Sequence, residues 1–332
     1  MIRLSPAMSW SRRGDDIYVH GERRVLAMRS CPVAFDALMR LLESGCEPGD
    51  LATVGVENSS AEEVLGILRR AGCLVGSSSA RWVDTVWERQ ADYFAAMGAS
   101  PDDVHSALQK ARVAILGLGG IGSVVLSHLA SAGVGRFILV DGDTVQQHNL
   151  HRQLIYRPAD VGRRKVDAAA AWLRQQNPSV DVHTVPRILT EEAELETVLA
   201  GPTSLLISAA DTPHDIGLRA AQACLTTGTA LTSADCGLRT ASWGPLLEPG
   251  DLPAYLSAYR RSSSRAPAPP APRPMRAAFG PTNAIAASHL AGDVLNWFAG
   301  LPVPSLRAKV RLDVDTLTID KTPAAPSADG GR

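Results

Sequence analysis

Residues 112–153 read RVAILGLGGIGSVVLSHLASAGVGRFILVDGDTVQQHNLHRQ, and most of the groups here that could do chemistry fall on one loop after another. Gly117, Gly119 and Gly122 form a G-x-G-x-x-G turn between an apolar strand and a helix. Without Cβ atoms the backbone can approach a phosphate, and the helix start offers free N–H groups and a partial positive charge. Asp141 closes the next strand, where a carboxylate accepts hydrogen bonds from ribose hydroxyls. To this point the pattern suits a nicotinamide dinucleotide as well as ATP. The polar run that follows separates them. Breaking a triphosphate between its α- and β-phosphates builds charge on phosphoryl oxygens, and fixed cations must meet it. Asn149 and the forked guanidinium of Arg152 supply donors. Lys165 opens a helix, an unfavourable place for a cation unless an anion lies close. Asp211 follows a buried strand, at the sheet edge where such folds bind ligands, and a lone carboxylate facing phosphates suits magnesium. Singly, Arg152 and Lys165 could be solvated charges and Asp211 a helix cap. A hydride-transfer enzyme leaves Asn149, Arg152 and Lys165 without a task.

The elements that must position these groups alternate strand and helix from 111 to about 240: RVAIL, SVVLSHLASAG, RFILVD, RKVDAAAAWLRQQN, VDVHTVP, EEAELETVLA, SLLISAAD, GLRAAQACLTTG and ALTSADC. That order predicts an α/β, Rossmann-like, mostly parallel sheet with helices on both faces. Before it, IYVH and RRVLAM read as a hairpin around Gly21 and Glu22. Two helices follow, PVAFDALMRLLESG and SSAEEVLGILRRAG, the second with a serine cap, and then a short strand CLV. This is a small winged-helix-like α+β domain over 1–80, with 81–110 as a helical connection. The α/β domain spans 111–321. Within it, 258–281 is a basic, proline-rich mobile loop, expected either as a lid over a substrate (Arg260–Arg276) or as a surface insertion. TNAIAASHLAGDVLNWFAGL is a helix, KVRLDVDTLTID a closing hairpin, and 322–332 a disordered tail.

Composition narrows the classes. The 332 residues carry a formal charge of −1, with 45% hydrophobic and 20% charged side chains, so nucleic acid and anionic membranes have no bulk attraction to the chain. No apolar run reaches membrane-spanning length and the first residues lack a signal-peptide stretch, so a cytoplasmic protein is expected. The five cysteines (31, 46, 73, 224 and 236) have no paired spacing and read as reduced core thiols, Cys236 on a buried strand included.

The motifs GLGGIGS, VDGDTVQQHNLHRQ, VGRRKVDA, AAD, GPLLEPG and NAIAASHLAGDVLNWFAGL together resemble the ThiF/MoeB adenylyltransferases, whose fold ubiquitin-activating enzymes share. The resemblance covers about 111–320. It implies a nucleotide turn shaped by Gly119 and Gly120 with Gly117 and Gly122, and a ribose on Asp141. Asp143 and Gln153 join the nucleotide contacts, with phosphates on Asn149, Arg152 and Lys165. Arg152, Lys165 and Asp211 become the catalytic set, and Asp211 holds Mg2+. It further implies attack of a carboxylate on the α-phosphate of ATP, giving an acyl-adenylate and pyrophosphate, and a homodimer in which Arg89 is an ambiguous candidate to reach a partner's nucleotide. Two departures stand out. Ala254, Ser257, Ala325 and Ala328 occupy slots where many relatives have zinc-binding cysteines, so no zinc is expected. The loop after 258 holds no transfer cysteine. The front module resembles the leader-recognition elements of peptide-modifying adenylyltransferases of the microcin C and pantocin type. The combined expectation is an enzyme that adenylates a ribosomally made precursor peptide held by its leader. The alternatives are a non-catalytic leader-binding partner of a cyclodehydratase and a sulfur-carrier-protein adenylyltransferase.

Overall fold

The computed structural model describes residues 2–76, 79–263 and 277–325. The chain divides into two compact units: 1–106 with 299–301, and 107–298 with 302–332.

The first unit opens with β1 (Ile2–Leu4), β2 (Ser9–Arg13), β3 (Asp16–His20) and β4 (Val25–Met28). Strands β2, β3 and β4 form an antiparallel sheet with β3 in the middle, and β4 leaves one edge unpaired. Alternation explains β3: Ile17 and Val19 are buried, while Asp16, Tyr18 and His20 between them are not. Helix α1 (Phe35–Ser44) turns Leu38, Met39 and Leu42 into the same core. Helix α2 (Asn58–Arg70) adds Ala61, Val64, Leu65 and Leu68. The expected serine cap is not observed. The helix starts at Asn58 after Glu57, with no side-chain cap, and Ser59 and Ser60 lie inside it. Strand β5 (Leu74–Gly76) returns to pair with β1. Helices α3 (Glu88–Ala96) and α4 (Pro101–Lys110) follow. The stretch expected as a connection belongs to this unit as far as 106. Trp82, Ala91, Phe94 and His105 are buried there, with Trp82 stacked on His105 at 4.1 Å between ring centroids. Arg89 is exposed on α3.

The second unit is built on an eight-stranded sheet. Its parallel part is β6 (Arg112–Leu116), β7 (Arg136–Val140), β8 (Asp181–Val185), β9 (Leu205–Ser208) and β10 (Ala230–Cys236). Antiparallel strands β11 (Thr240–Trp243), β12 (Ala308–Asp313) and β13 (Ile319–Pro323) extend it, giving the order β13-β12-β11-β10-β9-β6-β7-β8. β6, β7 and β9 are runs of buried apolar residues, as strands covered on both faces must be. The connecting helices are α5 (Gly122–Ser131), α6 (Lys165–Gln176), α7 (Glu192–Leu199) and α8 (Ile216–Thr227). Helix α9 (Leu252–Ser263) leads toward α10 (Gly280–Phe298), which packs on α5, β10 and β11 through Ala286, Ala287, Leu290, Ala291 and Val294. Two expectations are corrected. The segment foreseen as mobile over 258–281 begins as the last six residues of α9 and ends inside α10, while 264–276 lie outside the described residues. The tail foreseen as disordered from 322 starts as strand, since Thr322 and Pro323 pair with Lys309 and Ala308. Residues 326–332, with the lid expectation for 264–276, lie outside the described residues.

Glycines at two positions separate steric demand from mere tolerance. A Cβ on Gly135 would lie 2.1 Å from the Gln109 carbonyl oxygen, whereas on Gly217, inside α8, it would meet nothing within 4 Å. Gly135→Ala is expected to cost about 1–3 kcal/mol through overpacking. Gly217→Ala is expected to be neutral or stabilising by up to about 1 kcal/mol through helix propensity. Urea unfolding of the two variants beside the natural protein checks both signs.

Candidate active site

The glycine turn joins the end of β6 to α5, at the carboxyl edge of the parallel strands. Gly117 adopts φ +92°, and a Cβ there would stand 2.8 Å from the carbonyl carbon and oxygen of Ala209. A Cβ on Gly122 would lie 1.9 Å from the Gly117 carbonyl oxygen. These two glycines are demanded by the fold itself. Gly119 is different: a Cβ would meet nothing nearer than Gln153 Nε2 at 3.9 Å. The protein leaves that space open, as close approach of a ligand requires. Gly120 packs against the Asn283 side chain, which would lie 2.9–3.1 Å from its Cβ.

Asp141 stands behind this turn, its side chain only 8% exposed. Its Oδ2 accepts the Leu118 N–H at 2.7 Å and its Oδ1 the Asp143 N–H at 2.8 Å. Burial pushes its pKa up, opposed first by the Lys165 charge and then by those two N–H groups. Gly142 lets the chain turn here, because a Cβ would come 2.7 Å from Ile188. Lys165, the first residue of α6, is also buried. Its Nζ lies 2.8 Å from Asp143 Oδ2 and 3.8 Å from Asp141 Oδ2. The anion that a cation at a helix start calls for is thus supplied by the protein itself.

Residues 146–153 fold over the turn. Asn149 Oδ1 accepts the Gln146 N–H at 2.9 Å, closing a 3-10 turn, so Asn149 is buried. Gln153 is 2% exposed and, among the described residues, its Oε1 has no hydrogen-bond partner. Arg152 is half-buried and donates through Nη1 to the His148 carbonyl at 2.8 Å. Tyr156 fastens the turn from beneath, donating its OH to the Leu118 carbonyl at 3.1 Å. Asp211 is exposed beyond β9 and accepts the Thr212 hydroxyl at 3.2 Å. Among the described residues no hydrogen bond or ion pair joins it to the other named residues, although Ala209 and Ala210, just before it, lie against Gly117. Among the described residues no three His, Cys, Asp or Glu side chains come together as a metal cage. Ala254 and Ser257 lie on α9.

The sequence reading passed over one group and misplaced another. Asn283, on α10, is 6% exposed; its Nδ2 donates to Cys236 Sγ at 2.8 Å and its Oδ1 has no partner. A lone asparagine among small apolar residues was the available signal. Cys236 is not a core thiol as expected. It is half-buried, whereas the other four cysteines are buried. Burial, then Asp235, holds its pKa up while Arg152 pulls it down, so it stays a neutral thiol. Cys236 and Asp235 stand at one end of an open groove of about 1100 Å³. The polar face of β10–β13 makes its floor, with Thr240, Ser242, Lys309 and Arg311, and Tyr255 and Tyr259 of α9 also line it. None of the glycine turn, Asp141 or Lys165 lines it, so the groove does not contain the turn; Cys236, at the strand end, touches both, lining the groove and meeting Asn283 on the α10 face.

A mostly parallel sheet with a glycine turn and a buried acid at its carboxyl edge defines a Rossmann-like α/β domain. The ThiF family pattern matches residues 89–329, and the chain belongs to the ThiF family. Among curated relatives, the sulfur carrier protein adenylyltransferase of Thermus thermophilus is 42% identical over 104 residues, 31% of this chain and 38% of that protein. The molybdopterin-synthase adenylyltransferase of Escherichia coli is 43% identical over 98 residues, 30% of this chain and 39% of that protein. The adenylyltransferase and sulfurtransferase uba4 of Aspergillus clavatus is 54% identical over 71 residues, 21% of this chain and 14% of that protein. The chain thus aligns with well under half the length of these relatives. Among solved structures, E. coli MccB with ATP superposes with a TM-score of 0.78 over 99% of this chain and 98% of that chain, at 21% identity. PaaA superposes with a TM-score of 0.72 over 96% and 99%, also at 21% identity. These two likenesses are likenesses of fold. Among the described residues no helix is long and apolar enough to cross a membrane.

The Asp141–Lys165 pair yields a signed prediction. A buried carboxyl with a raised pKa favours the folded state below the carboxylate range and loses that advantage as pH rises through its folded value. Removing the lysine raises that pKa further and leaves a buried charge uncompensated at neutral pH. Lys165→Met is therefore expected to destabilise by about 3 kcal/mol at pH 7 and by clearly less at pH 4, where Asp141 is nearer protonation. Denaturant unfolding at the two pH values measures the difference.

Proposed function

We propose that this chain adenylates a carboxylate of a ribosomally made precursor peptide, converting ATP to an acyl-adenylate and pyrophosphate. The observation that carries the reading is the open space over Gly119. Gln153 borders it, its Nε2 3.9 Å from where a Cβ would stand, the preceding Leu118 N–H is held by Asp141, and Asn283 beside Gly120 reaches Cys236, which lines a polar groove. In this reading the ribose hydroxyls bind Asp141, whose carboxylate has acceptor sites left after two backbone N–H groups. The triphosphate runs along the turn toward Asn149, Arg152 and Lys165. The substrate carboxylate forms a bond to the α-phosphorus while the bridging P–O bond breaks and pyrophosphate leaves. Lys165 is then shared between Asp143 and phosphate oxygens, and Arg152 faces the charge that grows on them. Asp211 fits a magnesium ion because it is exposed and, among the described residues, hydrogen-bonded by one hydroxyl alone; such an ion takes one or two carboxylates and completes its shell with phosphate oxygens and water. When bound it would offset charge on the leaving pyrophosphate. Cys236, held as a neutral thiol, is not needed as an acyl carrier, so the adenylate meets its next nucleophile directly.

Support for a peptide substrate comes from the whole-length likeness to MccB, one of whose structures is a complex with N-formylated MccA. The leader reading rests on the first unit, taken as a winged-helix-like recognition module, where β4 has an open edge that an extended segment can join. A homodimer and Mg2+ belong to the same reading. The named sequence relatives favour one second reading, in which a sulfur carrier protein supplies the carboxylate.

Substrate-dependent ATP–pyrophosphate exchange tests the proposal. Exchange is expected with a precursor peptide encoded beside this chain's gene, and Arg152→Ala and Asp211→Ala are expected to lower its rate about 100-fold or more. Exchange with a sulfur carrier alone supports the second reading, and no exchange with either supports a binding partner without chemistry. For the leader, a labelled precursor titrated onto the full chain is expected to show saturable binding that survives Arg152→Ala; loss of binding there, or none at all, removes the recognition role.

A further inference from the structure

The groove on the antiparallel side of the sheet carries charges that the adenylation chemistry does not use. Register sets Asp235, Ser242, Arg311 and Asp320 side by side across β10, β11, β12 and β13. Lys309, two residues along the same face of β12, is taken by Asp235 at 2.6 Å. Arg311 is exposed, one strand in from the sheet edge, and among the described residues no carboxylate lies within ion-pair distance of it, Asp320 included. Lys321, also lining the groove, is likewise without an ion pair among the described residues. A forked guanidinium left open on the floor of a groove beside hydroxyl groups is built to take a carboxylate.

We propose that Arg311 is a specificity-determining residue that binds an acidic side chain of the substrate, three or four residues before the carboxylate that is adenylated. The proposal rests on the adenylation reading above. Spacing follows from the sheet. Adjacent strands lie about 4.8 Å apart, so Arg311 is about 10 Å across the strands from Asp235. An extended chain advances about 3.3 Å per residue and covers that distance in about three residues. The starting point is the end of β10, where Cys236 and Gly237 border the groove; the Cys236 side chain itself turns to the α10 face, where Asn283 connects it to Gly120 and the Arg152 charge is felt. The reacting carboxylate belongs there. The tyrosines of α9 give the intervening residues an aromatic flank.

The test uses probes that do not require the natural peptide. Acetyl-capped hexapeptides of glycine and serine are joined through their carboxyl end to 5′-O-sulfamoyladenosine, a non-hydrolysable stand-in for the acyl-adenylate. Asp or Asn is placed at each position in turn, and binding to the full chain is measured by calorimetry. Asp is expected to bind about fivefold tighter than Asn at the third or fourth residue from the acyl group, and at no other. In Arg311→Gln, shown folded by its melting temperature, that ratio is expected to fall to about one. Arg311→Lys is expected to keep part of it. A flat Asp-to-Asn ratio at all six positions, with the unsubstituted probe bound, overturns the proposal while leaving the adenylation reading intact. So does a preference that survives Arg311→Gln. Failure of 5′-O-sulfamoyladenosine and every conjugate to bind overturns the nucleotide seat and this inference together.

Discussion

Keeping a carboxylate charged beneath the glycine turn is the demand that organises the second unit. Asp141 is shielded from water, and only two backbone N–H groups and one lysine oppose the cost of that burial. Each of these groups belongs to a different part of the chain. The Leu118 N–H comes from the turn, the Asp143 N–H from the loop after β7, and Lys165 from the head of α6. Satisfying one side chain therefore sets the turn, the loop and the helix in place before any ligand arrives. Tyr156 adds a fourth tie by holding the other side of Leu118. A site assembled this way offers fixed dipoles to developing charge and needs little rearrangement, which is where electrostatic catalysis gains most.

Much of the fold could be read from local pattern because its central parallel strands are short, apolar and buried. RVAIL, RFILV and LLIS announce themselves. What escaped the reading depends on partners far along the chain. β1 is three residues whose pairing lies with β5, more than sixty positions later. β2 reads SWSRR and passes for loop because its serines and Arg13 are exposed and Arg12 is held by Asp36, a partner far along the chain. β11 has only four residues, and three of them are buried without alternating. Such strands exist because a neighbour offers hydrogen bonds, and intrinsic preference alone does not reveal them.

The site shows the same division. The glycines, the acid and the polar run stood in one continuous stretch, so type and spacing were enough to nominate them. Their states were not legible. Lys165 was expected to await an outside anion and already has two inside the protein. Cys236 sits at a strand end where the sheet opens, and its exposure follows from the arrangement of α9, α10 and β11 rather than from its neighbours in sequence. Asn283 acquires meaning only once α10 lies against Gly120. Contact between distant elements makes each of these, and a linear pattern does not encode it.

One margin of the large sheet has a further bearing on how the molecule behaves in company. Every residue of β13 is exposed, and the strand reads Ile-Asp-Lys-Thr-Pro. A proline that cannot donate and adjacent opposite charges make this border a poor template for another strand. Chains meeting along it would have to desolvate Asp320 and Lys321 and forgo a hydrogen bond at Pro323. The sheet thus carries its own stop signal against fibre-like growth on the flank that bears the groove, and that flank stays clear for smaller visitors.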